Sequence, residues 1–136
     1  IVELSNGDMR FSLNYFQVYC ASGQSKILCL FPYYDCIDKL FTSLLDTTTP
    51  KQIAHFHQCV ACVKALVDKG YCGRDIVMFM NSYIVTNDAK IPRAMALDWL
   101  KHIALCQHRM VNGADSFLQI CGMLSMMYAC TLNRET

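Results

Sequence analysis

The sequence predicts an all-α fold: one helix, a connector and then five further helices. Apolar residues recur at helical spacing in successive segments, and residues that typically start or end helices separate those segments. At the clearest junction, Gly113 can adopt the left-handed conformation that ends a helix, and Asp115 or Ser116 can cap the next one. The connector, residues 22–33, holds a short apolar run that lacks a partner strand, so we expect a buried linker there.

The boundaries of the helices follow from local chemistry. Proline is tolerated in a first helical turn, and Pro32, Pro50 and Pro92 each stand where an apolar periodic segment begins. Gly70 and Asn87 stand where such segments end. The predicted helices begin at Asp8, Pro32, Pro50, Cys72-Gly73, Pro92 and Asp115. Their expected ends are near residues 21–23, at the break that starts with Asp46, at Gly70, at Asn87-Asp88, at Asn112 and near Leu132.

Length and composition indicate a single globular domain, or one domain plus a fragment. The 136 residues are 54% hydrophobic, which is enough for a sizeable core. The formal net charge of +1 implies no general attraction to nucleic acid or membranes. No run of eighteen apolar residues and no signal peptide is evident, and no membrane association is expected. Because the chain opens at Ile1 in mid-pattern, we expect a fragment of a longer protein.

The nine cysteines raise the question of disulfides or a metal site. Their number is odd, their spacing is irregular and most lie in apolar runs, so we expect reduced thiols in an intracellular protein. On a helix, His55, Cys59 and Cys62 share a face, and Cys106 with His108 could complete a zinc site only through long-range folding. A thiol- or zinc-binding domain is therefore kept as an alternative. Nothing local marks a catalytic cysteine, and we expect no enzyme activity from this chain by itself.

The last helix is apolar at almost every position and is expected to serve two surfaces. One stripe at helical spacing is predicted to pack on the long helix before it: Phe117, Ile120, Cys121, Leu124 and Tyr128. Four further residues lie off that stripe and are predicted to form an oligomer interface: Met123, Met126, Met127 and Cys130. A helix that is apolar all round must be covered on more than one side.

The sequence places a positively charged residue in the first turn of the first helix, where such a residue is unfavourable. Residues 4–10 read Leu-Ser-Asn-Gly-Asp-Met-Arg and place Arg10 in a first turn, where the helix dipole disfavours positive charge. Together with Leu13-Asn14 and Gln17, this segment resembles the lid-domain helix of clamp-loader AAA+ subunits. The resemblance implies that Arg10 is the sensor 2 residue, which reaches the phosphates of ATP.

A second set of positions resembles the C-terminal collar domain of replication factor C small subunits. In order along the chain these are Gly70-Tyr71, Asp75-Ile76, Ile103, Arg109, Gly113-Ala114 and Leu118-Gln119. Cys72 stands where that family usually has Ser. The collar is a five-helix bundle, which agrees with the predicted helices. The resemblance implies that residues 1–31 are the end of an AAA+ lid domain with its connector, and that residues 32–136 are the collar.

The resemblance also implies partners and cofactors. The longer parent would be an ATPase subunit of a nuclear heteropentamer that uses ATP and Mg²⁺ to load a sliding clamp onto primer–template DNA in replication. Other clamp-loader subunits would be the direct partners, held through the collar. No phosphate-binding loop occurs in this sequence, so no cofactor is expected in the fragment. Other clamp-loader-like AAA+ proteins, and a helical adaptor unrelated to AAA+ proteins, remain alternatives.

Overall fold

The computed structural model describes residues 7–23, 32–46, 52–87 and 89–133, and within these ranges it contains helices and no strand. The helices are α1 (Met9–Ser22), α2 (Pro32–Leu45), α3 (Gln52–Asp68), α4 (Gly73–Thr86), α5 (Arg93–Val111) and α6 (Ser116–Leu132). The predicted all-α class is confirmed. The apolar run of the connector and the predicted start of the third helix at Pro50 lie outside the described residues.

Short-range hydrogen bonds set the helix ends. Asp8 caps α1, because its Oδ1 accepts from the backbone N–H of Phe11 at 3.1 Å. Asp115 caps α6 in the same way, and its Oδ1 accepts from the N–H of Leu118 at 2.7 Å. Between α5 and α6, Gly113 has a φ of 90°, as predicted for the residue that ends a helix.

The chain divides into two compact units, Ile1–Asp35 and Cys36–Thr136. Helix α1 belongs to the first unit, and none of its residues is buried. Helices α3 to α6 and most of α2 form the second unit. The domain boundary predicted between residues 31 and 32 stays a prediction.

An aromatic cluster lies in the core of the second unit. The ring of Phe41 stacks on that of Tyr83 with centroids 4.5 Å apart, and lies 5.6 Å from that of Trp99. The hydroxyl of Tyr83 donates to Oδ1 of Asp38 at 2.6 Å. Trp99 is fully buried, and its Nε1 donates to the backbone carbonyl of Met127 at 3.0 Å. This cluster therefore joins α2, α4, α5 and α6.

The buried face of α3 differs from the stripe that its spacing suggests. The residues at helical spacing are Ile53, Phe56, Val60, Val63 and Val67. Ile53 is nevertheless 74% exposed, whereas Cys59, Val63 and Leu66 are buried. Apolar residues occur on both sides of α3, so periodicity alone leaves two candidate faces. Packing against α4 and α6 selects the face that carries Cys59.

The start of α4 approaches α6 so closely that only glycine fits. A Cβ on Gly73 would lie 2.5 Å from Cβ of Ser116, whereas a Cβ on Gly122, within α6, would meet no atom within 4 Å. We expect Gly73→Ala to lower the free energy of unfolding by about 1–3 kcal/mol, because one of the two helices must shift. Gly122→Ala is the matched control and should raise the free energy of unfolding by up to about 1 kcal/mol. Denaturant titration measures both, and a Gly73→Ala protein as stable as the wild type would contradict this packing.

Candidate functional site

The pair α5–α6 forms the most extensive helix–helix contact among the described residues. Six residues of α6 at helical spacing are buried against the rest of the bundle: Ile120, Met123, Leu124, Met127, Tyr128 and Thr131. The Trp99 indole bonds to the carbonyl of Met127 and so fixes the inner face of α6 against α5.

The structure corrects part of the predicted oligomer interface. Met123 is 5% exposed and Met127 is fully buried, so the prediction that both lie on an outer surface is wrong. Helix α6 contacts α3 and α4 as well as α5, and its buried face is therefore wider than one stripe. Of the four predicted residues, Met126 is exposed and Cys130 is half-buried.

The remaining side of α6 faces solvent and is apolar or small. We call five exposed residues the outer face of α6: Leu118, Gly122, Ser125, Met126 and Ala129. Leu118 and Met126 are 66% and 53% exposed. The helix carries no charged residue from end to end. Exposed apolar surface without charge can mark a partner site. None of the described helices is both long and apolar enough to cross a membrane.

A groove runs between α5 and α6 beside this outer face. Its lining residues are His102, Leu105, Cys106, Arg109, Gln119, Gly122, Met123 and Met126. Leu105 is 45% exposed and extends the apolar surface onto α5. The sequence interpretation overlooked Leu105 and Leu118. For Leu118 a signal existed, because Gly122, Ser125 and Ala129 follow it at helical spacing and are all small.

Arg10 lies in the first turn of α1, as predicted, and is exposed. Asp8, which caps this helix, bonds to the N–H of Phe11. No ion pair involves Arg10 within the described part of the chain. Its guanidinium is therefore accessible to an anionic group, and its role as a nucleotide sensor stays a prediction.

The histidine and cysteines of α3 do not converge on one point. Nδ1 of His55 lies 2.9 Å from the carbonyl oxygen of Asp46, while Sγ of Cys59 donates to the carbonyl of Leu40 at 3.6 Å. Burial raises the pKa of the Cys59 thiol to about 12, and it also raises the pKa of Cys62. Among the described residues, no group of three or more His, Cys, Asp or Glu side chains is placed to hold a metal.

The eight cysteines of the described ranges are all free thiols. Their different surroundings matter for reactivity, because a thiol buried among apolar groups resists ionisation while one beside a base does not.

Sequence comparison relates this chain to replication factor C. A family model of the replication factor C C-terminal domain matches residues 35–126. The chain is 29% identical, over 93% of its length, to a probable replication factor C subunit 2 of Dictyostelium discoideum. It is 27% identical, over its whole length, to replication factor C subunit 4 of Oryza sativa subsp. japonica. It is 24% identical, over 93% of its length, to the replication factor C small subunit of Saccharolobus solfataricus. The chain spans only 37% to 39% of the length of these relatives. The resemblance seen in the sequence is confirmed.

Proposed function

The chain belongs to the replication factor C C-terminal domain family, and on this premise we propose that it is the C-terminal part of a clamp-loader subunit. The observation that carries this proposal is the family match, which extends over residues 35–126 and includes the whole of α3, α4 and α5. In the complete protein, this helical bundle would hold the subunit among the other subunits. The assembled complex would bind ATP and Mg²⁺ and load a sliding clamp onto primer–template DNA in the nucleus.

The outer face of α6 is the surface we assign to subunit assembly. Leu118 and Met126 are apolar and more than half exposed, and the helix offers no charge that would be desolvated on contact. A methionine side chain is flexible and adapts to an irregular partner surface. Gly122, Ser125 and Ala129 are small enough to let a second helix approach closely. Met123 and Met127 are buried beneath this surface and are not part of it.

Arg10 is the residue we assign to nucleotide sensing. Its exposed guanidinium can form charge-assisted hydrogen bonds with a phosphate, and no ion pair among the described residues occupies it. ATP, with its Mg²⁺, would supply the phosphoanhydride chemistry in the complete protein. This chain has no phosphate-binding loop, so by itself it is expected to hydrolyse no ATP.

The nucleotide role is tested in the complete subunit within its complex. Arg10→Ala is expected to lower ATP turnover and clamp loading by roughly tenfold, because a charge-assisted bond to a phosphate is lost. Arg74→Ala is the matched control, since Arg74 is also an exposed arginine in the first turn of a helix. Turnover and clamp loading are measured at limiting ATP for both variants. Equal rates in Arg10→Ala and Arg74→Ala would rule out the sensor role.

A further inference from the structure

A thiol and an imidazole meet where α5 and α6 pack together. Sγ of Cys130 lies 3.5 Å from Nε2 of His102, within hydrogen-bonding distance for sulfur. Both side chains are half-buried, so solvent reaches them. An imidazole nitrogen that accepts from a thiol can also take its proton, and this leaves the thiolate, which is the nucleophilic form of cysteine.

Other thiols of this domain have surroundings that suppress ionisation. Burial raises the pKa of the Cys59 thiol to about 12. Burial also raises the pKa of Cys106, and the positive charge of Arg109 offsets only part of that increase. The pKa of Cys121 is raised by burial and by the nearby carboxylate of Asp115. Such thiols react slowly, since a protonated sulfur is a poor nucleophile. The thiol of Cys130 differs from them because the imidazole of His102, a base, lies beside it.

The surroundings of the pair also indicate which reagent it would accept. His102 belongs both to the pair and to the lining of the groove, so the pair lies at the edge of the groove. Among the described residues, those that line the groove include Arg109 and no acidic residue. Arg109 is exposed and can attract a negatively charged small molecule.

We propose that Cys130 is a modification site at which His102 activates the thiol toward small anionic disulfides such as oxidised glutathione. The thiol proton moves to Nε2 of His102, and the Cys130 thiolate attacks one sulfur of the disulfide. The disulfide bond breaks as the new S–S bond forms, and the other half leaves as a thiolate that takes the proton back from His102. One disulfide is consumed and one is formed, so no further oxidant is needed.

The test compares two cysteines within the same full chain. Cys20 is an exposed thiol on α1 and serves as the internal reference. After timed incubation with oxidised glutathione, acid quenching and proteolysis, mass spectrometry gives the rate of mixed-disulfide formation at each site. We expect Cys130 to react faster than Cys20 although it is less exposed. We also expect His102→Gln to slow the reaction of Cys130 by roughly tenfold and to leave that of Cys20 unchanged, because the variant side chain cannot take the thiol proton during the attack.

Two further variants keep the test decisive. His102→Asn repeats the experiment with a shorter amide, and circular dichroism establishes that each variant is folded. Arg109→Gln should slow the reaction with oxidised glutathione several-fold while leaving the reaction of Cys130 with neutral iodoacetamide unchanged. A Cys130 rate no higher than that of Cys20, or one unaffected in the folded His102 variants, would overturn the proposal. An unchanged glutathione rate in Arg109→Gln would overturn the assignment of an anionic reagent.

Discussion

Met127→Glu is expected to abolish the cooperative unfolding transition of the helical domain. The side chain of Met127 is fully buried on the inner face of α6, and its carbonyl accepts from the indole of Trp99. A carboxylate at this position would lose its hydration among apolar side chains, at a cost of more than about 4 kcal/mol. The total stability of a domain is commonly about 5–15 kcal/mol, so most or all of it would be lost. Thermal melting followed by circular dichroism measures the effect.

The neighbouring residue supplies the control for this experiment. Met126 is 53% exposed, and Met126→Glu places the same charge one position earlier in the same helix. Its effect on the free energy of unfolding should stay within about 0.5 kcal/mol. A Met127→Glu protein that melts cooperatively near the wild-type temperature would contradict the orientation of α6.

Trp99→Ala is expected to produce the second large loss of stability. The indole is fully buried, and its ring lies 5.6 Å from that of Phe41. Truncation leaves a cavity between α2, α5 and α6 that the surrounding helices can only partly fill. The expected cost is about 3–5 kcal/mol, measured by denaturant titration.

Trp99→Phe separates the packing of the ring from the hydrogen bond of its N–H group. The phenyl ring fills part of the space but cannot donate to the Met127 carbonyl. That carbonyl also accepts from Oγ1 of Thr131 at 3.0 Å, so it keeps a partner. We expect a loss of about 1–2 kcal/mol. Similar small losses in Trp99→Ala and Trp99→Phe would mean that the indole is not central to the core.

Local chemistry made the helix boundaries predictable. Gly113 adopts the left-handed conformation and Asp115 caps the next helix, as their positions in the sequence suggested. Arg109 lies in the last turn of α5, where the helix dipole favours a cation. Each of these features depends on residues within a few positions of one another, so a single sequence contains the information.

Which side of α6 is buried and which is exposed was not predictable in the same way. Its residues are apolar almost throughout, so no charged side chain marks the side that faces solvent. The packing of α3, α4 and α5 around α6 decides that Met127 is buried and Met126 is exposed. Likewise, the pairing of His102 with Cys130 joins residues 28 positions apart. The sequence shows both residues but not their contact. The role of Arg10 stays a prediction, because it depends on contact with a bound nucleotide.

The proposed assembly with other clamp-loader subunits tests the central claim most directly. The complete subunit is mixed with its partner subunits, and sedimentation velocity measures the fraction in the complex. The wild type and Val85→Glu, which alters an exposed apolar residue of α4, should assemble alike. Met126→Glu should weaken assembly at least about tenfold, because it forces a carboxylate into an apolar contact. Assembly of folded Met126→Glu at the wild-type level would contradict the assignment of the outer face of α6 as the subunit interface.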